Sequence, residues 1–326
     1  MRYDESDKQS SNVEDRRGER ESGLGGGGMR IPMGGGGMGF TTMLIVGALM
    51  LLFGLNPLDL LTGGGSGSMP NMPQNPRVES GSRGGGGFGI PGLPGSTGGG
   101  SAPSQTVSHA EDPMKVRIAQ VLHDTEEVWT EVFRSIGKQY VPPKLIIFSG
   151  ATRTGCGVGQ TQMGPFYCPV DQKVYIDLAF YDELKRRFNA PGDFAQAYVV
   201  AHEVGHHVQT LLGISDQVQQ RKARGGEKQA NAIQVRMELQ ADCLAGVWAA
   251  RDYQIHKQRI QPGDVESGLN AASQIGDDTL QKRSQGYVVP EAFTHGSSAQ
   301  RVAWFKQGMQ TGQLQSCDTF NSPDPQ

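Results

Sequence analysis

The spacing of apolar and polar residues divides the chain into four stretches of different texture. Residues 1–38 show no apolar period; charged and polar side chains give way to glycine, so this stretch is expected to lack fixed structure. Phe40 to Leu55 is uncharged and strongly apolar, which predicts a membrane helix over residues 39–56. Residues 57–110 are rich in Gly, Pro and Ser and predict a tether. From residue 111 to 326 the pattern turns globular. Met114, Ile118, Val121, Leu122, Val128, Trp129, Val132, Phe133 and Ile136 mark one face of a helix that starts at Pro113 and stops at Gly137. Leu145–Phe148 and Val174–Leu178 read as short strands. Phe194, Tyr198, Ala201, Val204, Val208 and Leu211 mark a second helical face, with Asp193 as N-cap and Gly213 as stop. Arg236–Trp248 is a third helical stretch. Val302, Trp304, Phe305 and Met309 suit a fourth, with Ser297 as N-cap and Gln300 at the capping-box position. The class expected is α+β and helix-rich, with a small sheet.

Charge adds a direction to the apolar run. Its sixteen residues are at the short end of a bilayer span, and uncharged flanks from Ile31 to Leu58 extend it. Arg2, Lys8, Arg16, Arg17, Arg20 and Arg30 precede it, and the next basic residue is Arg77. The positive-inside rule then predicts one crossing of the inner (cytoplasmic) membrane, with a cytoplasmic N-terminus and a periplasmic, extracytoplasmic domain. A cleaved signal peptide fits less well, because the run starts late and no small-x-small site follows at once. Four cysteines allow two disulfides in three connectivities outside the cytoplasm. Cys156 and Cys168 bracket a Gly-rich loop and are expected to pair, leaving Cys243 for Cys317. No C-x-x-C exists, which argues against zinc on the cysteines. A net charge of −3 without a basic patch gives no reason to expect nucleic-acid binding. Gly155-Cys-Gly-Val-Gly159 is not a dinucleotide fingerprint and opens no helix pattern.

The chemistry sits in His202-Glu203-Val204-Gly205-His206, a His-Glu-x-x-His string in a chain with only seven histidines. Residues four apart share a helix face, so both imidazoles can reach one Zn2+ while Glu203 reaches a water on it. His207 points about 100° away from His206 and is expected to serve structure. A catalytic zinc needs a third protein ligand, and no further His follows at short spacing. Glu238 and Asp242 lie four apart on a helix among Met237, Leu239, Leu244, Val247 and Trp248. Carboxylates in such surroundings need partners. Zinc is one for Glu238; the free N–H of a ligating His is one for Asp242.

His-Glu-x-x-His followed by Glu-x-x-Ala-Asp resembles the gluzincin pattern, which implies Glu238 as third ligand. From about Val141 to Phe320 the chain resembles the bacterial neutral zinc metallopeptidases of the YpfJ type. The resemblance rests on Thr152-Arg-Thr-Gly-Cys-Gly157, Met163-Gly-Pro-Phe-Tyr-Cys168, Val174-Tyr-Ile-Asp-Leu178, Ala201–Val208, Met237–Cys243 and Phe293-Thr-His-Gly296. It includes the single membrane segment, and it implies a reaction class without a substrate. Thr294-His-Gly-Ser297 leading to Arg301 is similar to the Thr-His-Pro-Ser…Arg string of CAAX-processing membrane zinc endopeptidases, with Gly296 replacing Pro. That analogy puts His295 and Arg301 near the cleft, His295 as a catalytic neighbour and Arg301 in support. Strands ahead of the motif helix suit a zincin-like layout, in which a sheet edge pairs with an extended peptide. The expected function is a membrane-anchored zinc peptidase, probing protein or peptide substrates, with Glu203 as general base and membrane lipid contacted through one helix. The rivals are a non-catalytic zinc-stabilised envelope scaffold and a zinc amidase acting on cell-wall peptides.

Overall fold

The computed structural model describes residues 1–4, 6–18, 112–187, 192–257, 259–261 and 263–325. The expected membrane helix at 39–56 and tether at 57–110 lie outside these residues. Among the described residues, no helix is long and apolar enough to cross a membrane.

A four-stranded sheet runs in the order β1 (Val13–Asp15), β2 (Lys144–Phe148), β6 (Lys173–Asp177), β5 (Phe166–Cys168). β1, β2 and β6 are parallel; β5 pairs antiparallel to β6 and forms an edge. Leu145 and Ile147 of β2 face the main core, while Ile146 and Phe148 pack with Tyr175 and Cys168 on the other face. Both faces are covered, which is why this strand reads as a continuous apolar run and not as an alternation. The Gly-rich loop expected after it is a hairpin, β3 (Ala151–Thr154) with β4 (Gly157–Gln160). A Cβ on Gly159 would come 2.5 Å from the Phe166 ring, so glycine lets the hairpin lie on β5. The Cys156–Cys168 disulfide ties the hairpin turn to the same strand.

Residues 1–18 correct the expectation of an N-terminus without structure. Val13–Asp15 align with Leu145–Ile147 as a parallel strand. The Tyr3 ring lies between the guanidinium groups of Arg117 and Arg259, each 4.7 Å from its centroid. Arg259 reaches Asp7 and also Asp124, and it comes within 3.8 Å of Asp252. The acidic group of Asp124, Asp252 and His256 therefore already surrounds a cation. Such an arm is held by ion pairs and ring contacts to residues more than a hundred positions away, which leave no local apolar period to read.

The helices follow the predicted faces. α1 (Pro113–Ser135) begins with Asp112 accepting the Met114 N–H at 2.9 Å. α2 (Ala179–Arg187) leads to α3 (Asp193–Leu211), the motif helix. Asp193 is its first residue and not its N-cap; Gly192, at φ 123°, takes that place without a side-chain cap. Gly213, at φ 75°, turns the chain into α4 (Ile214–Arg224). The long α5 (Glu227–Ile255) packs on α3, and α6 (Asp264–Gln274) and α7 (Asp277–Gln285) follow. α8 (Ser298–Thr311) opens with the Ser297–Gln300 capping box and lies along α5. Cys243–Cys317 fastens the chain after α8 back onto α5.

The approach of α8 to α5 depends on two glycines. A Cβ on Gly308 would fall 1.9 Å from the Cys243 carbonyl oxygen, and one on Gly246 2.1 Å from that of Phe305. Backbone cannot step aside as a flexible side chain can. Gly308→Ala should therefore cost about 3 kcal/mol, read as a lower denaturation midpoint. Gly226→Ser, where an added Cβ meets nothing within 4 Å, should stay near wild type.

Candidate metal centre

α3 presents His202 and His206 one turn apart, and α5 crosses it where Gly205 faces Ala241. A Cβ on Gly205 would lie 3.1 Å from the Ala241 carbonyl oxygen. The glycine between the histidines thus lets α5 come close enough for Glu238 to reach both rings. Glu238 Oε2 lies 3.3 Å from His202 Nε2 and 3.4 Å from His206 Nε2. Tetrahedral ligands at about 2.0–2.1 Å from zinc stand about 3.3–3.4 Å from one another. The ligand atoms of these three residues all fall within 4.8 Å of each other. Two imidazole nitrogens and one carboxylate oxygen at this spacing suit Zn2+ in both size and donor type.

Each ligand atom is aimed by a hydrogen bond on its far side. His202 Nδ1 is 2.9 Å from Asp242 Oδ1, and His206 Nδ1 is 2.9 Å from Gln209 Oε1. Acceptors at both Nδ1 atoms assign the N–H there and turn the Nε2 lone pairs toward the centre. Gln209 is itself fixed, donating to the Met237 carbonyl at 2.7 Å and to Gln240 Oε1 at 3.0 Å. Glu238 Oε1 accepts from Gln234 Nε2 at 2.6 Å, and Lys222 Nζ donates to Gln234 Oε1 at 2.6 Å. A lysine can only donate, so Lys222 fixes which way the Gln234 amide points. Asp242 accepts from the Tyr198 hydroxyl and from Arg301, Nε at 2.8 Å and Nη2 at 2.9 Å. Arg301 also donates to the Ile275 carbonyl at 3.2 Å. Its guanidinium, 2% exposed, is occupied by the group that holds His202.

Glu203 is buried beside the trio and points into the same cleft. Burial raises its pKa, against the pull of His202 and His206. His207 turns away, with Nε2 2.7 Å from the Val141 carbonyl oxygen and Nδ1 3.1 Å from the Tyr167 hydroxyl. His295 lines the cleft, its Nδ1 3.2 Å from Asp277 Oδ1, while Asp277 Oδ2 accepts the backbone N–H groups of Thr294, His295 and Gly296. Burial lowers the His295 pKa, but Asp277 outweighs it and the net direction is up. Burial likewise opposes the imidazolium at His202, yet Asp242 and Glu238 push it up to about 10. Burial would raise Glu238, but His206 and His202 hold it well below the usual carboxylate range.

Of the residues expected from the sequence, His202, Glu203, His206, Glu238, His295 and Arg301 line one cleft, and Asp242 lies fully buried behind His202. The sequence reading missed Tyr198, Gln209, Gln234, Lys222 and Asp277. Three of these carried a usable signal: Tyr198 lies four before His202, Gln209 three after His206, and Gln234 four before Glu238, all on shared helix faces.

A family profile described as "Putative neutral zinc metallopeptidase" matches residues 1–85 and 93–320. The chain belongs to this family. It is 44% identical over 317 residues to "Uncharacterized protein YpfJ" of Escherichia coli (strain K12), covering 96% of each chain. It is 39% identical over 229 residues to "Uncharacterized protein Mb2605" of Mycobacterium bovis, covering 68% of this chain and 75% of that one. No solved structure matches. The family match begins at residue 1, in keeping with an N-terminal arm that is part of the fold.

Two outcomes follow from this geometry. Gln234→Leu should keep the fold and weaken zinc binding about tenfold, read by competition with a chromophoric chelator. Zinc uptake near pH 7 should release protons, because His202 binds its proton up to about pH 10 without metal and must lose it to ligate. Apparent affinity then rises with pH, and calorimetry in buffers of different ionisation enthalpy counts the protons.

Proposed function

We propose that this chain is a zinc peptidase that hydrolyses protein or peptide substrates, with His202, His206 and Glu238 as metal ligands and Glu203 as general base. The observation that carries the reading is Glu203. It sits one residue from His202 on α3, reaches the same cleft, and is not part of the ligand trio. A zinc that only braced a fold would need no such carboxylate. Zinc bound here would lower the pKa of its water toward about 7 and polarise the scissile carbonyl. Glu203 takes the proton of the attacking water and hands it to the leaving amine nitrogen. Its burial, which raises proton affinity, suits that exchange near neutral pH. His295, whose proton affinity Asp277 raises against the effect of burial, donates toward the carbonyl oxygen as negative charge gathers there. Asp242 and Arg301 stay with His202 and set its ring.

The cleft, about 490 Å³, indicates what the substrate looks like. Its wall includes Val158, Met163, Phe166, Phe180 and Leu280, and Phe166 and Tyr167 belong to edge strand β5. An extended peptide laid along that edge pairs its backbone with β5 and sends one side chain into the apolar wall. We place the enzyme at the cytoplasmic membrane through the apolar run at 39–56. The two disulfides favour an oxidising, extracytoplasmic setting for the domain.

Glu203→Gln should retain zinc and lose about 10²–10⁴-fold in turnover, measured on casein and a peptide library. Equal cleavage by the variant and wild type would overturn the mechanism. In wild-type digests, apolar residues should be enriched next to the cleaved bonds; cleavage without that enrichment removes the apolar wall from the account of specificity.

A further inference from the structure

The two ends of the stretch that holds the apolar run meet. Arg17 Nη1 bonds Asp112 Oδ2 at 2.5 Å, and Arg17 Nη2 bonds Asp15 Oδ2 at 2.7 Å. Asp15 closes strand β1, and Asp112 is the N-cap of α1, so the contact joins the end of one fixed element to the start of another. Around it the arm is sewn to the domain at widely separated points. The Ser10 N–H donates to the Ala119 carbonyl at 2.9 Å, the Leu145 N–H to that of Asn12 at 2.9 Å, and the Arg16 N–H to that of Ile147 at 2.8 Å. The Arg2 N–H donates to the Arg259 carbonyl at 2.8 Å. A single crossing by residues 39–56 would put this arm and the metal site on opposite sides of a bilayer about 30 Å thick, and none of these contacts could form.

We propose that the N-terminal arm and the zinc-site domain share a compartment, on one side of the membrane. The apolar run at 39–56 serves, under the proposed function, as the membrane anchor. Two of the basic residues that argued for a cytoplasmic arm pair within the fold: Arg17 with Asp15 and Asp112, and Arg16 with Glu14 at 2.7 Å. A cytoplasmic arm with an extracytoplasmic domain, expected from charge counting, does not agree with this proposal. Only the anchor depends on membrane attachment; the shared compartment does not depend on the peptidase reading.

Thiol labelling separates the two topologies. Among the described residues the cysteines are all in disulfides, so an introduced thiol is the reactive one. Gln9→Cys in the arm and Lys228→Cys at the start of α5 are both exposed. In intact cells treated with a membrane-impermeant maleimide, both should label or both should be protected, and both should label after permeabilisation. Labelling of one with protection of the other overturns the proposal. Zinc content of each variant shows that the domain is folded, and pelleting after a carbonate wash reads the anchor. A protein released by carbonate removes the anchor and leaves the shared compartment standing.

Discussion

A carboxylate without access to water holds the centre of this molecule together. Asp242 is fully buried on α5, and its oxygens are taken by His202 and Tyr198 from α3 and by Arg301 from α8. Burial alone would raise its pKa; Arg301 and His202 bring it instead down to about 2. A buried charge with matched partners is tolerated, whereas the same charge with one partner missing costs about 3–5 kcal/mol. The three helices are therefore bound to one another by polar groups that have nowhere else to go. The apolar core around them, with Phe194, Trp248 and Phe305 in ring contact, keeps water away and makes each bond count.

That arrangement turns packing distance into chemistry. Glycines stand where the helices come closest, Gly205 between α3 and α5, Gly246 and Gly308 between α5 and α8. At the first crossing the gap decides whether Glu238 spans both imidazoles. At the second it decides whether the guanidinium of Arg301 lies flat against Asp242. The Cys243–Cys317 bond sits beside both, one residue from Asp242, and Gln240 donates to the Cys317 carbonyl at 2.8 Å. Through Gln240 and Gln209 that tail reaches His206. Parts of the fold remote in sequence thus converge on the two ring orientations the centre requires.

What could be read in the sequence follows from how local each constraint is. His202, Glu203 and His206 share one helical turn, and Glu238 and Asp242 another, so spacing alone exposes them. The Ser297–Gln300 capping box and the β2 and β6 strands are local in the same sense. Gln209 and Gln234 have the right spacing too, but glutamine is common on exposed helix faces and carries no signature of burial. Arg301 was legible as a residue near the site; its attachment to Asp242 required knowing that α8 crosses α5. The N-terminal arm was misread because its composition is polar and its partners, Ala119, Leu145 and Arg259, are distant. Composition reports whether a segment can bury apolar surface; it is silent on a segment that docks by backbone pairing and ion pairs.

The metal-free and metal-bound centres solve the same electrostatic problem with different cations. Glu238 lies largely buried against two imidazoles, so a positive charge beside it is strongly favoured. Without metal, Glu238 and Asp242 raise the proton affinity of the imidazoles against the cost of burying their charge. A divalent ion supplies the positive charge better, because one charge centre answers Glu238 and both nitrogens at once. Glu203 gains from the exchange as well. The imidazoles lower its pKa by attraction, and under the proposed function a bound metal would supply that positive charge in their place. The residues that gather negative charge and ring nitrogens here are thus the ones that suit an ion, and Asp242, Gln209 and Gln234 already aim His202, His206 and Glu238 by hydrogen bonds.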